Sequence, residues 1–71
     1  MRTKDIIAES MASYLLGKVQ YHKANVKLYL ENPAGIGEHP DILQAVEVEL
    51  ANAADYAEKL CMLKEICKEH G

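Results

Sequence analysis

Both prolines of the chain, Pro33 and Pro40, and two of its four glycines, Gly35 and Gly37, fall in one stretch, Asn32-Pro33-Ala34-Gly35-Ile36-Gly37-Glu38-His39-Pro40. The rest of the sequence has no proline and, before the final Gly71, only Gly17. A chain punctuated in this way has two uninterrupted arms of similar length and one place to turn. Pro33 disfavours helical geometry at Asn32, and glycine tolerates the positive φ that a tight reversal needs. A connection this short forces the two arms to run antiparallel.

Each arm reads as a helix. Over residues 3–31, Ala8, Met11, Ala12, Leu15, Val19, His22, Val26 and Tyr29 recur at steps of three and four, which puts them on one helical face. A second line, Ile7, Tyr14, Tyr21 and Leu28, repeats every seven residues beside it. Over residues 40–69, Leu43, Val46, Leu50, Ala53, Ala57, Leu60, Lys64 and Cys67 keep the same rhythm and suggest a coiled-coil-like seam. Pro40 suits a first helical turn, Asp41 complements the positive helix end, and His39 is the expected N-cap. Ile36, an apolar residue in a polar loop, is expected to fold back over the end of the core. The sequence therefore predicts an all-α fold and a single domain over residues 1–71. It is a helical hairpin of two long antiparallel helices, about 3–31 and about 40–69, with a loop at 32–39. Folding about that loop sets Tyr29 near Leu43, Val26 near Val46, His22 near Leu50, Val19 near Ala53, Leu15 near Ala57 and Ala12 near Leu60.

Two helices alone enclose no core, and one partner helix cannot cover both apolar lines of the first arm. Ile7, Tyr14, Tyr21 and Leu28 are therefore the expected oligomer interface. The simplest closed arrangement is a twofold dimer forming a four-helix bundle.

Composition narrows the function classes. A chain that is 49% hydrophobic and 27% charged is too apolar for disorder, and its apolar runs stop far short of the ~18 residues of a membrane span. A net charge of −3, with neither Trp nor Phe, argues against nucleic acid as a partner. Cys61 and Cys67, six apart on a helix, cannot pair with each other and do not have zinc-ligand spacing. They read as free thiols of a cytoplasmic protein, with Cys61 on the seam side. No catalytic constellation and no cofactor motif is present: no cysteine sits beside a histidine, and no lysine-bearing glycine loop could cradle a phosphate.

The loop is the one place where a ligand site comes to mind. Glu38, His39 and Asp41 offer oxygen and nitrogen donors, and a helix start attracts anions. That gives the alternative of a small metal- or anion-binding module centred on residues 35–41. Turn formation by Asn32, Pro33, Gly35, Gly37 and Pro40 explains the same residues without a ligand, so no metal site is assigned. His22, on the apolar stripe, reads as a hydrogen-bonded interface histidine.

One resemblance attaches to this stretch. The run Asn25-Val26-Lys27-Leu28-Tyr29-Leu30-Glu31-Asn32-Pro33-Ala34-Gly35-Ile36-Gly37-Glu38-His39-Pro40-Asp41-Ile42, followed by Ala45-Val46-Glu47 and Glu58-Lys59-Leu60, resembles small uncharacterised proteins of tailed bacteriophages, marine ones especially. It spans roughly residues 24–63, and its distinctive part is Gly-Ile-Gly-Glu-His-Pro-Asp. The resemblance implies a phage origin and a two-helix form, and it brings no activity with it. The functional expectation is a non-enzymatic structural or adaptor protein that self-associates and contacts a phage or host protein.

Overall fold

The computed structural model describes residues 2–31 and 41–70. Two helices, α1 (Thr3–Glu31) and α2 (Ile42–His70), pack along their whole length as a hairpin. Each has 29 residues. At 1.5 Å per residue that is ~44 Å of helix, and the molecule measures 51 × 18 × 13 Å. Among the described residues, no helix is long and apolar enough to cross a membrane.

The start of α1 is closed by the Arg2 carbonyl, which accepts hydrogen bonds from the amides of Asp5 and Ile6 at 3.0 and 3.2 Å. At α2 the Asp41 carbonyl accepts from the Ala45 amide at 2.9 Å, which puts Asp41 at the N-cap position, while the expected cap His39 lies outside the described residues. Asp is among the preferred residues there, and its charge complements the helix dipole. Asn32, Pro33, Gly35, Ile36, Gly37, Glu38, His39 and Pro40 lie outside the described residues.

The inward face of α1 follows the periodicity. Leu15 and His22 are buried, and Ala8, Ala12, Val19, Val26 and Tyr29 are half-buried. Met11 departs from its stripe and is exposed.

On α2 the sequence expectation needs a correction. Val46, Ala53 and Leu60 do face α1, but Leu43, Leu50, Ala57, Lys64 and Cys67 are exposed, Leu43 by 80%. Their places are taken by the residues one step earlier, Ile42, Glu49, Tyr56 and Leu63, with Ala45 and Asn52 alongside. Cys61 is likewise exposed, as a free thiol. The axial register is therefore within one residue of the expected pairing, while α2 is turned about its own axis. The reason is polar: the side chain that meets His22 is Glu49, not Leu50.

This rotation makes a specific prediction. Ala53→Leu inserts volume where the helices approach and should cost about 1 to 3 kcal/mol in urea unfolding, whereas Ala57→Leu should change little. Leu15→Ala, at the one buried aliphatic side chain among the described residues, should cost about 2 to 3 kcal/mol.

Candidate functional site

Midway along the hairpin, the two helices meet through polar and aromatic side chains. His22 Nδ1 lies 2.6 Å from Glu49 Oε1, and Asn25 Nδ2 donates to the same oxygen at 3.0 Å. Helical spacing makes this possible: residues 22 and 25 are three apart and project from neighbouring positions on α1, so both reach one carboxylate on α2. A carboxylate only accepts, so the proton between His22 and Glu49 belongs to the imidazole Nδ1. These two hydrogen bonds, from His22 first and Asn25 second, hold the Glu49 carboxyl below its ordinary value of 4.5 and outweigh the opposing effect of partial burial.

Aromatic rings surround the imidazole. Tyr56 stacks on it, with centroids 5.7 Å apart and planes inclined by 11°, and Tyr21 meets it edge-on at 4.9 Å. Tyr14 in turn makes an edge contact with Tyr56 at 6.3 Å. Two ammonium groups rest on these rings. Lys18 lies 5.4 Å from the centroids of both Tyr21 and Tyr56, and Lys59 lies 4.9 Å from that of Tyr56. Such contacts let a lysine cover apolar ring surface and keep its charge in water. Lys59 also bridges to Asp55 at 3.1 Å, and that hydrogen bond raises its pKa above the ordinary lysine value.

The sequence singled out His22 as a hydrogen-bonded histidine, and its partner lies inside the hairpin. Sequence reasoning missed Glu49, Asn25, Tyr56 and Lys18. The expected register set His22 opposite Leu50, and Glu49 is the residue next to it. Ile7, Tyr14, Tyr21 and Leu28 are all exposed on α1, with one edge of Tyr14 and of Tyr21 against the Tyr56 and His22 rings. Of the loop candidates, Asp41 is described and exposed. Glu38 and His39 are not among the described residues.

Among the described residues no three His, Cys, Asp or Glu side chains converge as a metal cluster would require. The surface depressions are open grooves, such as the one that Met11, Leu15, Met62, Leu63 and Ile66 line. The arrangement joins the two helices at one rotation and register, the one in which Glu49 reaches both His22 and Asn25. Comparison with protein-family models, curated proteins and solved structures finds no match to this chain.

Because the folded Glu49 carboxyl is the stronger acid, its contribution to stability is complete above pH 4.5 and disappears as the pH falls through its depressed folded value. The gap in melting temperature between wild type and Glu49→Gln should therefore be full above pH 4.5 and narrow as the pH is lowered below it. A gap that does not change with pH would show that the ionised carboxylate contributes nothing.

Proposed function

We propose that this chain is a non-enzymatic structural or adaptor protein that acts through helix-mediated self-association. In this reading two hairpins close into a four-helix bundle, with Ile7, Tyr14, Tyr21 and Leu28 in the contact. The bundle then presents its loop ends to a protein of a phage or of its host, in the cytoplasm. The likeness of the loop to phage proteins supports that setting.

The observation that carries the reading is surface area. A compact folded monomer of 7.9 kDa exposes ~4400 Å², whereas this chain exposes 5616 Å². Its radius of gyration, 16.1 Å, compares with ~11 Å for a compact chain of 71 residues. The excess of ~1200 Å² exceeds the ~800 Å² per partner that a standard interface buries. Much of that surface is apolar, with Ile6, Ile7, Leu28, Leu30, Val48 and Ile66 all exposed. At ~25 cal/mol/Å², covering 500 to 800 Å² of apolar surface would contribute about 12 to 20 kcal/mol per chain before association costs.

Sedimentation equilibrium at micromolar concentration tests this directly. Self-association predicts a mass that rises to at least twice the 7.9 kDa of one chain, and a melting temperature that rises with protein concentration. A single 7.9 kDa species across that range would overturn the reading.

A further inference from the structure

The line Ile7, Tyr14, Tyr21, Leu28 has a symmetry that says how a second copy sits on it. Read from either end it runs aliphatic, aromatic, aromatic, aliphatic, and its midpoint falls between Gly17 and Lys18, the middle of α1. Its exposures mirror each other about that point: 61% at Ile7 and 62% at Leu28, 54% at Tyr14 and 57% at Tyr21. We propose that two hairpins pack face to face and antiparallel about a twofold axis through this midpoint. The axis sets Ile7 of one copy against Leu28 of the other, and Tyr14 against Tyr21. This rests on the self-association reading and adds its face and its direction.

Three observations favour the second copy as the occupant of this face. A face of 51 by 18 Å has a footprint of about 900 Å², close to the ~800 Å² per partner of a standard interface. The contacts of Tyr14 and Lys59 with Tyr56 put one edge of α2 on the same side as the tyrosines, so both helices of each copy take part. An isologous interface requires a self-complementary patch, and a palindromic line supplies one.

The arrangement has a functional consequence. The Glu31 and Asp41 ends of the two hairpins lie at opposite ends of the particle, about 40 Å apart at 1.5 Å per residue from the axis. The dimer is then a bivalent spacer, carrying one copy of the 32–40 segment at each end, and not a single two-loop platform.

Spin labels on the full-length chain test both face and direction. The exposed Cys61 and Cys67 are replaced by Ser, and one label is placed at the exposed Thr3 or Glu31, one turn beyond either end of the apolar line. The antiparallel twofold predicts intermolecular distances of roughly 44 Å between Thr3 labels and roughly 40 Å between Glu31 labels, at 1.5 Å per residue. Mixing the two labelled chains should give a short distance, under about 20 Å, since each Thr3 then lies beside a partner's Glu31. Leu28→Asp should weaken the dimer at least about tenfold, and Leu50→Asp, on the opposite edge, should leave it within about twofold. A dimer with short distances between like labels, or one dissociated by Leu50→Asp and not by Leu28→Asp, would overturn the proposed geometry and leave self-association standing. The absence of any intermolecular distance, with a 7.9 kDa mass, would overturn both.

Discussion

One carboxylate decides which way α2 faces. Glu49 accepts hydrogen bonds from His22 and Asn25 across the helix pair. Turning α2 by one residue, to bury Leu50 in its place, would leave a buried imidazole and a half-buried amide without their partner, and such groups cost more unpaired than an exposed leucine does. The rest of the molecule follows from this choice. Tyr56 comes round to stack on His22, and Tyr14, Lys18 and Lys59 gather on that ring. Leu43 and Leu50 are left in solvent. The polar contact gains little as an isolated pair. Its effect is on specificity, the role best attested for polar groups in helical seams.

The hairpin is also notable for how little it buries. Among the described residues only Leu15 and His22 are buried, and no described side chain is fully so. A two-helix layer has one inner face and no second layer to close it, which is why chains of this size rely on association or staples. The free thiols of Cys61 and Cys67 offer no staple within the chain. A rod whose Cα trace is 13 Å thick has a single layer and no enclosed interior.

The helices and their antiparallel pairing were legible in the sequence because the prolines and glycines are confined to one stretch and the arms are free of breakers. The face of α1 was legible too, since Leu15, Val19, His22 and Val26 fall on one clean stripe. The rotation of α2 was not. Neither helix is strongly one-sided, and on α2 the apolar residues almost encircle the axis, so several phases fit the pattern nearly equally well. Counting hydrophobes favoured Leu43 and Leu50, while the deciding interaction was between polar residues 27 positions apart, which no periodicity reveals. The same blindness hid Asn25, Tyr56 and Lys18 at the centre of the hairpin.

The central claim is that Glu49, and not Leu50, faces His22. Nuclear Overhauser contacts of the His22 ring, observed in labelled chain diluted into an excess of unlabelled chain so that transfer between labelled sites is intramolecular, test it most directly. The structure predicts cross-peaks from the imidazole protons to the ring of Tyr56 and to the side chain of Glu49, with none to the methyl groups of Leu50. Strong contacts between His22 and the Leu50 methyls, with the Tyr56 ring distant, would contradict it and restore the rotation that hydrophobic spacing alone suggests.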